Sequence, residues 1–250
     1  MSSLKVKKIL VSQPEPKAEN SPYHDLINLH KIKVDFRPFI HIEGASAKEI
    51  RAQKIDISQF NAVILTSKNA VDHFFRATEE LRYKVPEDLR YFCQSEAIAN
   101  YIQKYVVYRK RKIYVGQKEF SDLEPLFKKY PNEKYLLPAS EQLNQEVPIL
   151  LNKLKLNWTQ AIFYRTVMSD LSDLKNVKYD ILAFFSPTGI KSLFKNFPKF
   201  KQNKTRIAVF GSSVQKEAIE HGLNVDIFAP TPECPSMTKA LENYVLSVNK

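Results

Sequence analysis

Leu65-Thr66-Ser67-Lys68-Asn69-Ala70-Val71 recurs in altered form as Phe184-Phe185-Ser186-Pro187-Thr188-Gly189-Ile190, at an offset of 119 residues. Each copy leaves an apolar stretch, passes a hydroxyl-bearing turn and enters a helical pattern. Phe92-Cys93-Gln94-Ser95-Glu96 likewise resembles Phe210-Gly211-Ser212-Ser213-Val214, at an offset of 118. Residues 116–123 resemble 230–238, both leading toward a helix that begins near Ser121 or Ser236. Three correspondences in register mean that the halves repeat a three-unit strand–helix series in the same order.

The repeat decides the topology. The first half continues into Lys134-Tyr135-Leu136-Leu137-Pro138-Ala139-Ser140, while the second half stops. The comparable unit left for the second half is Lys7-Lys8-Ile9-Leu10-Val11-Ser12-Gln13, at an offset of 127. The same offset pairs Phe36-Arg37-Pro38-Phe39 with Phe163-Tyr164-Arg165-Thr166. One α/β lobe is therefore expected from residues 1–35 and 169–250, and an inserted α/β lobe from 43–161. Residues 36–42 and 162–168 are expected to cross between them as a two-stranded antiparallel connector.

Local patterns agree. Short, nearly continuous apolar runs occur at 8–11, 62–66, 90–93, 112–115, 134–137, 181–185, 206–210 and 225–228. Such runs suit parallel strands buried on both faces. Between them, Val71, Phe74, Phe75 and Thr78 share a helical face, as do Ile190, Leu193, Phe194 and Phe197. Met237, Ala240, Leu241, Tyr244 and Val245 mark a final helix. Ser186-Pro187 reads as an N-cap followed by Pro at the first helical position. Ser121-Asp122-Leu123-Glu124 reads as a capping box. The expected class is α/β, with two similar lobes whose parallel sheets are flanked by helices.

The 250 residues are 44% hydrophobic and 26% charged, enough apolar material for two globular cores. No apolar run is long enough for a bilayer helix. The lysine-rich start, residues 1–8, leads only into Ile9-Leu10-Val11, too short for a secretory signal. No membrane association and a cytoplasmic location are expected. Cys93 and Cys234 form no CxxC pair, and His24, His30, His41, His73 and His221 show no metal spacing, so no metal site is expected. Five glycines leave no room for a glycine-rich phosphate loop, and no Walker A, GxGxxG or GxSxG motif occurs.

The net charge of +11 favours an acidic partner: nucleic acid, an anionic membrane or a polyanionic metabolite. The sharpest basic run, Arg109-Lys110-Arg111-Lys112 beside Tyr108 and Ile113, reads equally as a protected strand edge. No helix-turn-helix, zinc-finger or RNP-like pattern accompanies it, so no nucleic-acid partner is expected.

In parallel α/β sheets ligands bind beyond the carboxyl ends of the strands. Hydroxyl and amide residues gather there: Ser12, Gln13, Thr66, Ser67, Gln94, Ser95, Ser140, Ser186, Thr188, Ser212 and Ser213. Nearly all precede a helix, whose free N–H groups and dipole favour carboxylates or phosphates. Each alone reads as an ordinary N-cap; the set suggests that helix starts of both lobes face one cleft and grip an anionic ligand.

These residues resemble the uroporphyrinogen-III synthase family along almost the whole chain. The resemblance is carried by residues 62–71 (AVILTSKNAV), 91–97 (YFCQSEA), 136–141 (LLPASE), 161–167 (AIFYRTV), 184–194 (FFSPTGIKSLF), 208–213 (AVFGSS) and 229–241 (APTPECPSMTKAL), through their order and spacing. It implies cofactor-free cyclisation of hydroxymethylbilane, with loss of water and inversion of the terminal (D) ring, to uroporphyrinogen III in haem biosynthesis. It also suggests a monomer. The substrate carries eight carboxylates.

Carried over by position, Tyr164 is the catalytic candidate, with Thr166 completing the family's connector motif. Thr66 and Ser67 match the first Thr-Ser turn, with Lys68 and Asn69 beside them as further binding candidates, and Ser186, Pro187, Thr188 and Gly189 match a Ser-Pro-Ser-Gly turn, with Thr188 replacing the second Ser. Gly211, Ser212, Ser213 and Val214 stand where the family commonly has Gly-Pro-Thr-Thr, so Ser213 keeps a hydroxyl and Val214 loses one. A non-catalytic binder of an anionic small molecule is the alternative reading.

Overall fold

The computed structural model describes residues 5–16, 21–107, 109 and 111–249. Residues 1–4 of the lysine-rich start, with Tyr108 and Lys110 of the basic stretch, lie outside the described residues.

In chain order the regular elements begin with β1 (Lys8–Val11), α1 (His24–Asn28), β2 (Lys33–Phe36), β3 (Ile40–Gly44), α2 (Ala47–Ala52), β4 (Ala62–Leu65) and α3 (Lys68–Glu80). Next come β5 (Arg90–Cys93), α4 (Glu96–Tyr101), β6 (Ile113–Val115), α5 (Glu124–Lys129), β7 (Lys134–Ala139), α6 (Glu146–Lys153) and β8 (Asn157–Ile162). The chain closes with β9 (Tyr164–Met168), β10 (Ile181–Phe184), α7 (Pro187–Asn196), β11 (Arg206–Phe210), α8 (Ser212–Glu220), β12 (Val225–Ala229) and α9 (Met237–Val248).

Two compact units result: Met1–His41 with Val167–Lys250, and Ile42–Thr166. The discontinuous unit holds a parallel sheet in the order β12-β11-β10-β1-β2. Its faces bury separate cores. Ile9, Val11, Ile181 and Leu241 are on one side, and Leu10, Leu182, Ile190 and Val209 on the other. The inserted unit repeats the plan as β6-β5-β4-β7-β8, again parallel. There Val63, Leu65, Phe74 and Tyr91 oppose Ile64, Phe92, Phe127 and Leu137 across the sheet. Each strand takes the same lateral place as its counterpart in the other sheet, as the sequence offsets require. β3 and β9 form a separate two-stranded antiparallel sheet where the chain crosses between units.

The structure corrects two local expectations. Phe36 ends β2 and Ile162 ends β8, so the crossings 36–42 and 162–168 start within the main sheets. The N–H of Arg37 still bonds the Val11 carbonyl; Pro38, which has no N–H, then releases the chain toward β3. The capping box lies two residues before the expected Ser121–Glu124 segment. Glu119 and Asp122 form it around a 3-10 turn at Phe120–Leu123, where the Asp122 carboxylate accepts the Lys118 and Glu119 N–H groups at 2.8 Å each. An ionised carboxylate, an acceptor with two oxygens, takes both amides at once.

Candidate functional site

In the inserted unit the chain leaves β4 at Leu65 and reaches Ser67 in an extended conformation. The Ser67 hydroxyl accepts the Ala70 N–H at 3.1 Å and so caps α3. Burial of Ala70, Val71, Phe74, Ala77 and Thr78 fixes the helix on the sheet. A fully buried side chain such as Phe74 contributes about 1.5–3 kcal/mol. The opposite side of the cap meets Tyr164, the first residue of β9. The residue is 9% exposed and its phenol oxygen lies 3.4 Å from the Ser67 hydroxyl.

A second contact orients the phenol. The His73 ring stacks on that of Tyr164, with centroids 5.1 Å apart and planes at 22°. Arg76 donates from Nε to His73 Nδ1 at 3.2 Å. Its other nitrogens donate to the carbonyls of Ala45 at 2.7 Å and Phe163 at 3.2 Å, and to Glu80. Burial first, and the Arg76 charge second, push the His73 pKa down from its ordinary value, which keeps the imidazole neutral near pH 7. With Nδ1 accepting, the single ring proton sits on Nε2.

The remaining candidates of this unit are less constrained. Gln94 is half-buried, its amide donating to the Lys118 carbonyl and its N–H to that of Leu65. Ser95 sits at the N-cap of α4 without a side-chain capping bond. Ser140 donates to the Gln142 carbonyl at 2.8 Å. Lys68 Nζ lies 5.3 Å from the centre of the Tyr101 ring. Thr66 is half-buried; Asn69 and Thr166 are exposed. Arg165 is already paired, to Glu49 at 2.7 Å and Glu43 at 3.6 Å.

The discontinuous unit builds a different cluster at the matching ends of its strands. Ser12 is buried beyond β1, and its N–H donates to the Ala183 carbonyl. Ser186 is extended and accepts the Gly189 N–H at 3.1 Å, with Pro187 opening α7. A Cβ on buried Gly189 would lie 3.3 Å from the Ser186 hydroxyl and 3.9 Å from that of Ser12. Glycine thus lets the two hydroxyls converge on the start of α7. Thr188 is half-buried, and Gln13 is exposed. Gly211 caps α8 at a φ of 95°, a conformation natural to glycine. Ser212 and Ser213 follow it, exposed, in the first turn. Val214 is 2% exposed and belongs to the core with Ile207 and Val209. The missing hydroxyl there is a packing choice.

The sequence singled out Ser67 by residue type and Tyr164 through the family resemblance, and the fold brings the two together; it also brings together Ser12 and Ser186, read by residue type, and Gly189, carried over from the resemblance. Neither reading singled out His73 and Arg76. The available signal was their i, i+3 spacing on the helix that starts at Ser67. An apolar cavity of about 480 Å³ in the discontinuous unit, lined by Leu10, Phe39, Leu182, Leu193, Phe197 and Phe200 among others, contains none of the candidate polar residues. Among the described residues no group of three or more His, Cys, Asp or Glu could hold a metal ion. None of their helices is long and apolar enough to cross a membrane.

Comparison with known proteins adds a family and a fold. The family model described as uroporphyrinogen-III synthase HemD matches residues 21–239. No curated protein sequence gives a significant match. Among solved structures, uroporphyrinogen-III synthetase from Helicobacter pylori is 18% identical, covers 96% of this chain and 99% of its own, and has a TM-score of 0.59. A mutant uroporphyrinogen III synthase from the extremely thermophilic bacterium Thermus thermophilus is 13% identical, with coverage of 96% and 99% and a TM-score of 0.52. At such identities the likeness is one of fold.

Proposed function

The chain belongs to the uroporphyrinogen-III synthase family, and we propose that Tyr164 donates a hydrogen bond to the substrate's departing hydroxyl while helix starts hold its carboxylates. The reaction is the cyclisation of hydroxymethylbilane to uroporphyrinogen III, and the enzyme is a lyase of haem biosynthesis. The terminal hydroxyl leaves as water, and the pyrrole left behind is an electrophilic azafulvene. The substituted carbon of the far ring attacks it and forms a spiro intermediate. One carbon–carbon bond then breaks, the D ring inverts and recloses, and loss of a proton restores the pyrrole.

The observation that carries the role of Tyr164 is its phenol oxygen 3.4 Å from the Ser67 hydroxyl. Ser67 accepts the Ala70 N–H, so its own proton is available to the Tyr164 oxygen. The phenol proton is then free to meet the leaving oxygen, where a positioned donor assists C–O cleavage. The starts of α3, α7 and α8 offer free N–H groups to carboxylates. A net charge of +11 draws a substrate with eight carboxylates. The remaining candidates (Ser12, Gln13, Thr66, Lys68, Asn69, Gln94, Ser95, Ser140, Thr166, Ser186, Pro187, Thr188, Gly189, Gly211, Ser212 and Ser213) complete the proposed binding set.

Tyr164→Phe keeps the ring and removes the donor. Turnover should fall while the melting temperature stays put; an unchanged turnover would make Tyr164 a packing residue only. The same proposal includes a cytoplasmic monomer without a nucleic-acid partner. Arg109 of the basic run lies 3.5 Å from Glu87, which supports a surface role for it. Sedimentation tests the monomer, and nucleic-acid affinity with a steep salt dependence would remove the last point.

A further inference from the structure

We propose that Arg76, acting through His73 and the Phe163 carbonyl, is a positioning residue that holds Tyr164 in its donor geometry; this rests on the donor role proposed above. Arg76 grips both supports of the phenol. One is the peptide that precedes it: the Phe163 carbonyl takes the guanidinium at 3.2 Å and the Ala45 N–H at 2.9 Å. The other is the ring stacked on it, since His73 Nδ1 takes the Arg76 Nε–H at 3.2 Å. The same guanidinium bonds the Ala45 carbonyl, immediately after β3. One planar, always-charged fork on α3 therefore ties the residue after β3 to the residue before β9, beside Tyr164, which a point-charge lysine cannot match.

Gly44 makes the arrangement possible. A Cβ there would lie 2.6 Å from the guanidinium carbon of Arg76. The glycine leaves the space that the fork fills. The neutral state of His73 supports the same reading, because a proton on Nδ1 would displace the Arg76 donor. Nothing in this network needs a substrate contact from Arg76 or His73. Their effect reaches the reaction through the angle and height of the phenol.

A double-mutant cycle tests this on the full chain, with formation of uroporphyrinogen III as the readout. Arg76→Met keeps the aliphatic stem and should lower kcat about 10- to 100-fold with little change in KM, as expected for misplacing a reacting group. Arg76→Lys should recover part of that loss. The combined Arg76→Met, Tyr164→Phe variant should be no slower than Tyr164→Phe alone, because the arginine then has no donor left to position. Losses that multiply would overturn the proposal, as would wild-type kcat in Arg76→Met. Wild-type kcat in Tyr164→Phe alone would instead remove the donor role itself, and is read separately from the single variant. If Arg76→Met fails to fold, Gly44→Ala carries the cycle, since it keeps the arginine and displaces its fork. It should lower kcat in the wild type and have no effect in Tyr164→Phe; an equal effect in both backgrounds would overturn the proposal.

Discussion

At the repeat position that Tyr164 occupies in the inserted unit, the discontinuous unit carries Arg37. Both open a crossing segment beside the equivalent sheet edge, yet their surroundings diverge. Arg37 donates to both Asp173 carboxylate oxygens, at 2.9 and 3.1 Å, and to the Asp170 carbonyl at 2.7 Å. Tyr164 instead meets a serine hydroxyl and an imidazole. The helix caps persist: Ser67 and Ser186 accept the N–H three residues on at the same distance. The residues beyond the caps do not. Where α3 has His73 and Arg76, the repeat places Ser192, fully buried, and Lys195, exposed, on α7. Backbone needs are thus met the same way twice, since every helix start has the same orphan N–H groups. The phenol, with its serine and imidazole contacts, stands at one of the two positions.

The units also differ in what covers the crossing. Residues 45–61 of the inserted unit hold α2, fixed by a capping box in which Glu49 accepts the Ser46 N–H at 2.7 Å, and a 3-10 turn at Ile57–Gln59. Residues 169–180 of the discontinuous unit form only a 3-10 turn at Ser172–Leu174, and the apolar cavity opens beside it. In each unit an arginine ties the crossing to its cover: Arg165 to Glu49, and Arg37 to Asp173. The more firmly covered crossing is the one that carries the phenol.

The contrast between the two crossings breaks most easily at the phenol. Tyr164→Phe should lower kcat by about 10²–10⁴-fold, the usual worth of a positioned acid or donor. Arg37→Ala should change stability by at most about 1 kcal/mol and leave kcat alone. Steady-state kinetics and thermal melts on both variants decide it; a large kcat loss in Arg37→Ala would put chemistry in both units. Next in size is Val214→Thr, which restores a hydroxyl common in the family. It buries a polar group and should cost about 1–3 kcal/mol without raising turnover. Faster turnover would show that the position reaches substrate.

Smaller again is the pair of caps. Ser67→Ala and Ser186→Ala should each cost about 1 kcal/mol, or about 2–4 °C in melting temperature. Ser67→Ala should also lower kcat about three- to tenfold through the lost phenol contact, whereas Ser186→Ala should act mainly on KM. Equal kinetic effects would dissolve the distinction between the units. The smallest effect concerns Glu49. The Ser46 N–H first, then its hydroxyl and Arg165, hold the Glu49 carboxyl down to about 2. Its folded pKa is depressed, so its contribution is complete above the unfolded value of about 4.3 and lost as pH falls toward about 2. Melting curves between pH 5 and pH 2 should show wild type losing slightly more stability than Glu49→Gln; parallel curves would refute the cap's electrostatic part.

Much of this fold was legible because its central strands are buried on both faces. β1, β5 and β11 have the expected bounds, and the repeat offsets order both sheets. The edge strands β2 and β8 were not legible as strands. Lys-Val-Asp-Phe and Asn-Trp-Thr-Gln-Ala-Ile mix polar and apolar residues because one side of each lacks a neighbour. Caps were readable from serine position, as Ser67, Ser186 and Ser236 all accept the N–H three residues on. The support of Tyr164 was not. Arg76 meets Phe163 across 87 positions of chain, and no local pattern encodes a carbonyl partner at that distance.

The most direct measurement is the isomer composition of the product when purified protein receives fresh hydroxymethylbilane. Spontaneous closure yields uroporphyrinogen I, without ring inversion. The account predicts uroporphyrinogen III as the dominant product, formed faster than the spontaneous background. Isomer I alone, at the background rate, would contradict it.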